Sequence, residues 1–236
     1  MAIQTPVELG VMDDTLGTST HNFTVPAGGV PLGALLLVRG FTLSNFAPFT
    51  SVTDTQSNSY SIDLTTAISS PSRSVNIASC VVAHALTSSD TITIHNSGTF
   101  ACSASFAYVT ADSGWRATPL DKTAGSTNTT SPYSSSSTST TSQTQEFLAG
   151  LVEVAGGSIS ITPDSPWVSE QNTFVQFGGD TLCTTYQIVS ATGAYANTGT
   201  ETGTAWASLI ATYESVYTPP VLLGQPDGRR STFGPF

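Results

Sequence analysis

Apolar and polar residues alternate with a period of two through most of this 236-residue chain, and no stretch keeps the i, i+3, i+4, i+7 spacing over the dozen residues a stable helix needs. A period of two sends successive side chains to opposite faces of a sheet, so such a chain folds only by burying sheet faces against one another. In 100–110, Phe100, Cys102, Ala104, Phe106 and Tyr108 share one face, and Ala101, Ser103, Ser105 and Ala107 share the other. The same pattern predicts strands over 21–25, 33–41, 51–54, 59–64, 75–86, 91–95, 147–154, 158–162, 173–177, 182–190 and 204–213.

Turn chemistry separates these runs: Pro26-Ala27-Gly28-Gly29, the stretch 54–58, Ser88-Ser89-Asp90, Asn96-Ser97-Gly98, Ala155-Gly156-Gly157, Pro163-Asp164, Gly178-Gly179-Asp180 and Thr192-Gly193. About ten short strands with such regular breaks predict an all-β fold, a two-sheet antiparallel sandwich of jelly-roll type. Residues 1–215 read as one domain. Two segments break the pattern. The low-complexity stretch 123–145 reads as a linker, or over 134–144 as a hydroxyl-faced edge strand, because Thr favours strands. The last stretch, 216–236, is rich in Pro and Gly and has no alternation. It reads as an extended C-terminal arm docked on the domain or on a neighbouring subunit, through Val221, Leu222, Leu223, Phe233 and Phe236, with Arg229 and Arg230 placed to pair with carboxylates.

Only 9% of the residues are charged, and six Lys+Arg face sixteen Asp+Glu for a net charge of -10. An average soluble protein has about a quarter of its residues charged. Ser and Thr fill the polar positions instead, at about 30% of the chain. So little positive charge argues against a nucleic-acid backbone or an anionic membrane as partner. The longest apolar run, 30–38, is about half the length of a membrane-spanning helix. The first residues have neither a basic segment nor an apolar one, so no secretory signal is expected. A composition suited to an exposed surface, without an export signal, points to a viral structural protein made in the cytoplasm of a bacterial host and released by lysis.

Motifs for catalysis or metal binding are missing. There is no G-x-S-x-G and no H-E-x-x-H, so neither a nucleophile elbow nor a zinc site is expected, and no cofactor is implied. Cys80, Cys102 and Cys183 read as small buried hydrophobes, with a Cys80–Cys102 disulfide as the alternative. Among His21, His84 and His95, His84 has the most strand-like surroundings and is expected inside. Asp13, Asp14, Asp54, Asp90, Asp112, Asp164 and Asp180 sit at turn-like positions, where Asp bonds nearby backbone. Trp206 lies in a strand and reads as core. Trp115 and Trp167 lie in loops, where they either pack over a sandwich end or on a neighbour or contact a host-surface glycan.

The order of segments resembles a β-sandwich domain of bacteriophage virion proteins and some bacterial surface proteins. The resemblance rests on Gly33-Ala34-Leu35-Leu36-Leu37-Val38, Val52-Thr53-Asp54 with Asn58-Ser59-Tyr60, Ala83-His84-Ala85-Leu86 and Ser89-Asp90-Thr91-Ile92-Thr93-Ile94. It continues through Phe106-Ala107-Tyr108-Val109, Thr118-Pro119-Leu120-Asp121, Glu146-Phe147-Leu148-Ala149-Gly150, Tyr186-Gln187-Ile188-Val189-Ser190 and 205–211. The resemblance implies a jelly-roll-like module without catalytic residues, a non-enzymatic structural subunit of the minor tail, tail tip, fibre or capsid surface. Its partners would be other virion proteins and further copies of itself. A receptor- or carbohydrate-binding adhesin module of the tail is the second function the resemblance allows.

Overall fold

The computed structural model describes residues 2–216 except 45, 158, 171–173 and 176–178. It is all-β, with no helix among the described residues. The expected jelly roll is present twice. The first comprises β1 (Val7–Asp14), β2 (Thr20–Thr24), β3 (Leu35–Thr42), β4 (Phe49–Asp54), β5 (Ser61–Ser69), β6 (Ser72–Val81), β7 (Thr91–Asn96) and β8 (Cys102–Val109). Its larger sheet has the order β1-β8-β3-β6-β5 and its smaller sheet β2-β7-β4. The second comprises β9 (Trp115–Asn128), β10 (Tyr133–Ser134), β11 (Glu146–Ala155), β12 (Ile161–Pro163), β13 (Val168–Ser169), β14 (Phe174–Val175), β15 (Thr181–Val189), β16 (Thr198–Glu201) and β17 (Ala205–Ser215). Its larger sheet runs β13-β15-β11-β17-β9, with β14 also on β15, and its smaller sheet β10-β16-β12. Strand for strand, β9, β17, β11 and β15 repeat β1, β8, β3 and β6, while β10, β16 and β12 repeat β2, β7 and β4. All the pairings are antiparallel.

The two larger sheets face each other, giving four layers with three apolar fillings. The seam between the halves is filled by Leu35, Leu37, Phe41, Val75 and Ile77 from one side and Phe147, Ala149, Leu151, Leu209 and Tyr213 from the other. A second filling, with Leu36, Val38, Ile92, Ile94 and Phe106, lies inside the first jelly roll. The third is divided into two smaller clusters, around Trp206 and Tyr133 and around Trp167 and Ile210. The central strands β3 and β11 are therefore covered on both faces, and every residue along them is buried. Gly150 in β11 serves this crowding. A Cβ there would stand 2.1 Å from Thr185 Oγ1, and the missing side chain leaves room for buried Asn197, whose amide spans to Leu151 O and Leu209 O.

The strands missed in sequence have physical reasons. In β1 a bulge between Glu8 and Gly10 switches the inward face, which breaks the alternation. β9 carries Arg116, Pro119, Asp121 and Lys122, which an edge strand tolerates. β10, β13 and β16 are two to four residues long, too short to show a period.

The Ser/Thr-rich tract is neither a linker nor the edge strand expected over 134–144. It runs antiparallel to 193–197, and every third residue turns inward. Ser135, Thr138 and Thr141 each donate a backbone N–H to the carbonyl of Asn197, Tyr195 and Gly193, at 2.9 to 3.0 Å. Each hydroxyl in turn accepts the backbone N–H of that same partner, at 2.9 to 3.1 Å. Three residues of the tract span two of an extended strand, so the tract rises by only about 2.2 Å per residue, less than a strand.

Candidate functional site

The seam between the halves is where charge is concentrated inside the molecule. Arg39 lies on the inward face of β3 with 0% exposure. Its guanidinium forms a two-point ion pair with the Glu170 carboxylate, one bond at 2.9 Å, and also reaches Gly150 O and Thr185 O at 3.4 Å. Arg73 of β6 pairs with Asp180 and stands 3.9 Å from Glu153. Burial, with the nearby Asp180 charge, pushes the Glu153 carboxyl well above its ordinary range, against the pull of Arg73. The first jelly roll thus supplies arginines and the second supplies carboxylates.

At one edge of the seam is a cleft of about 330 Å³, lined by Ser59, Ser61, Asp63, Ser79, Cys80 and the 117–120 stretch, among others. Two ladder irregularities build it. On one wall, β5 is bulged between Ile62 and Leu64, which re-aims Asp63. On the other, β9 pairs with β17 only at Trp115 and Leu120 over this stretch, leaving 116–119 out of the ladder. Tyr213 donates its hydroxyl to Asp63 Oδ2 at 2.7 Å, while buried Oδ1 has no donor among the described residues. Burial raises the Asp63 carboxyl above its ordinary value, against hydrogen bonding from Ser79 and Tyr213.

A second charged group sits where β9, β11 and β17 meet. Asp121, Glu146 and Glu214 each place a carboxylate oxygen within 4.8 Å of the others, an arrangement that could hold a metal ion. Side chains already answer most of that charge. Lys122 Nζ is 2.5 Å from Asp121 Oδ1, Arg116 Nε is 2.7 Å from Glu214 Oε2, and Ser142 donates both its hydroxyl and its N–H to Asp121. Burial pushes Glu146 up to about 7. Burial also works upward on Asp121, but the bonds from Lys122 and Ser142 outweigh it and hold that carboxyl below its ordinary value.

The motif residues of the first jelly roll form hydrogen-bonded clasps. Asp54 Oδ1 accepts the N–H groups of Gln56 and Asn58, and Oδ2 accepts from the Asn58 amide and the Tyr60 hydroxyl. Asn58 also bonds the backbone at Ala83 and His84. Asp90 takes four donors from Thr55, Gln56 and Thr87, which hold its carboxyl far below the ordinary range, the Thr55 hydroxyl contributing most. Both are the turn roles expected of them. Asp180 is an exception, since its carboxylate turns inward to Arg73.

The proposed glycan contacts do not present their rings. Trp115 and Trp167 are 7% and 8% exposed. Their indole N–H groups are spent on Val109 O at 3.1 Å and Ala196 O at 2.8 Å, and Trp115 packs edge-on against Phe147. A ring sealed in this way offers no face to a sugar, so both residues serve packing. His84 is likewise not internal. β6 ends at Val81 and the chain turns out to solvent, whereas His21 is buried between Asp14 and Asn96. Trp206 is core, and Cys80, Cys102 and Cys183 are free and buried. The arm residues Val221, Leu222, Leu223, Arg229, Arg230, Phe233 and Phe236 lie outside the described residues.

Comparison with protein-family models, with curated proteins and with solved structures gives no match.

Proposed function

We propose that this chain is a non-enzymatic structural subunit of a bacteriophage virion, of the minor tail, tail-tip or capsid-decoration class, displayed on the particle surface and anchored by its 216–236 arm. The observation that carries this reading is the repeated jelly roll locked through one common core. Two sandwiches sharing a seam crossed by buried ion pairs make a stiff body, which suits a part that bears load or display rather than one that opens around a substrate. The surface is hydroxyl-rich and short of cations, in keeping with exposure outside a cell and with partners other than nucleic acid or anionic lipid. Its partners on this reading are other virion proteins and further copies of the chain.

The test is removal of 217–236. The shortened chain keeps every described strand and is expected to melt as the full chain does, yet to be missing from particles assembled in an infected host. Incorporation at the normal level would overturn the anchoring role. Absence of the full-length chain from purified particles would overturn the virion assignment.

A further inference from the structure

We propose that one loop end of the first jelly roll, carrying Leu16, Phe46 and Phe100, is a tip that seats in the neutral surface of a phospholipid bilayer.

The strand register gathers these three residues. Asp14 at the end of β1 and Thr42 at the end of β3 both pair with Cys102 at the start of β8, so the three loops meet these strands at one rung. Beyond it the loops touch. Ser97 Oγ donates to Phe46 O at 2.9 Å, and Asn96 donates its N–H to Ser19 O at 3.0 Å. Leu16 is 66% exposed, Phe46 83% and Phe100 38%. One exposed leucine is ordinary, but three large apolar side chains in adjoining loops form a patch. Across 15–20, 43–48 and 97–101 there is no Asp, Glu, Lys, Arg or His.

The backbone at the tip suits a medium without water. Leu16 donates its N–H to Asp14 Oδ1, and its carbonyl accepts the N–H of Thr18, both at 2.9 Å. Phe46 donates its N–H to Ser44 Oγ at 3.2 Å, and its carbonyl takes the Ser97 hydroxyl. The Ala47 carbonyl takes the Thr42 hydroxyl at 2.7 Å. An exposed loop can leave such groups to water, whereas one that enters an apolar medium must pair them within the protein.

Size and charge select the occupant. The three side chains together expose roughly 300–400 Å², about half of what one partner contributes to a stable protein–protein interface. A second copy seated tip to tip would therefore not hold. Lipid sets no such minimum, because each apolar side chain that enters the interface adds its own transfer free energy. An uncharged tip on a chain of net charge -10 fits zwitterionic headgroups and disfavours anionic ones. Binding through so few side chains is weak and reversible for one chain, and it strengthens where several copies meet one surface.

The test uses the full chain and phosphatidylcholine vesicles. Leu32 is the control, since it is 68% exposed but lies before the opposite end of β3. The wild type is expected to float with the vesicles at high lipid, with little effect of added salt. Leu16→Ser/Phe46→Ser should lower the partition at least about tenfold, and Leu32→Ser should leave it within about twofold. Both variants should melt as the wild type does, because the changed side chains are exposed. Phe46→Trp reads insertion directly. Relative to wild type, its added emission should shift to the blue and be quenched by brominated acyl chains, while that of Leu32→Trp should not. Absence of wild-type flotation, or Phe46→Trp emission that brominated lipid leaves untouched, would overturn the proposal. So would stronger binding to anionic vesicles that fades with salt. If the serine double variant loses particle adsorption to host cells while neither it nor the wild type binds vesicles, the tip belongs to a protein pocket and the lipid assignment fails.

Discussion

The two jelly rolls share a strand order but differ in how they close their outer layers and where they keep their charge. In the first, the outer sheet has strands of five and six residues, and the Asp54 and Asp90 clasps tie its loops. In the second, the outer strands are only two to four residues long, and a Ser/Thr tract seals much of the rest. The seam repeats the contrast in charge, with Arg39 and Arg73 from the first half facing Glu170, Glu153 and Asp180 from the second. One topology can thus be completed by different local chemistry. At the seam, this unequal division of charge makes the two halves complementary to each other.

The strongest way to break that complementarity is Arg39→Met. It strands the Glu170 carboxylate inside the protein, and losing one partner of a buried pair costs about 3–5 kcal/mol. A urea titration should show the midpoint fall accordingly, while Arg39→Met/Glu170→Met recovers most of the loss by removing the orphaned charge as well. Arg116→Met tests the contrast, since the Arg116 side chain is 52% exposed. An exposed pair of that kind contributes about 1 kcal/mol or less, so equal losses at Arg39 and Arg116 would show that the seam pair is not the special one.

Legibility in the sequence followed the distinction between apolar pattern and polar geometry. Most long strands showed in the period of two, and the turn aspartates Asp54 and Asp90 showed by residue type. The duplication did not, because β10, β13 and β16 are too short to leave a period, and the runs expected over 158–162 and 173–177 form β12 and β14, only three and two residues long. The seam ion pairs were hidden for another reason. Arg39 interrupts an apolar run by a single residue, and nothing local says that its partner lies 131 positions away. The Asp63 cleft depends on a bulge in β5 facing a gap in the β9 ladder, and hydrophobic pattern reports neither. For Trp115 and Trp167, position in a loop left packing and glycan contact both open, and each indole folds back onto a backbone carbonyl, which decides for packing.

A smaller effect separates two acids that the halves treat in opposite ways. Asp90 is surrounded by donors and held low, whereas Glu146 is buried and pushed up from 4.5 to about 7. A carboxyl whose folded pKa lies above its unfolded one stabilises the fold only while protonated. Its contribution is complete below about 4.5 and is lost as pH rises through about 7. Thermal melts across this window should therefore show stability declining with pH in the wild type. Glu146→Gln should flatten that decline, with a gain of at most about 3 kcal/mol at pH 8. The window lies above the ordinary Asp121 value of 3.8, so the neighbouring acid does not mask the slope. A variant with the wild-type slope would mean that Glu146 is charged throughout.

The finest contrast lies inside the Ser/Thr tract itself. Composition treats its residues alike, but the ladder divides them into rungs at Ser135, Thr138 and Thr141 and outward positions such as Ser137 and Thr140. Thr138→Val keeps the shape of the side chain and removes the acceptor for Tyr195 N–H, leaving a partly buried donor unpaired. A cost of about 1–2 kcal/mol is expected. Ser137→Ala and Thr140→Ala remove hydroxyls that face solvent and should stay within about 0.5 kcal/mol of wild type. Chemical denaturation of the three variants checks this directly. Uniform losses would mean that the tract is held by general hydration, whereas a loss at the rung alone ties its order to a repeat of three that the outer strands of the first half do without.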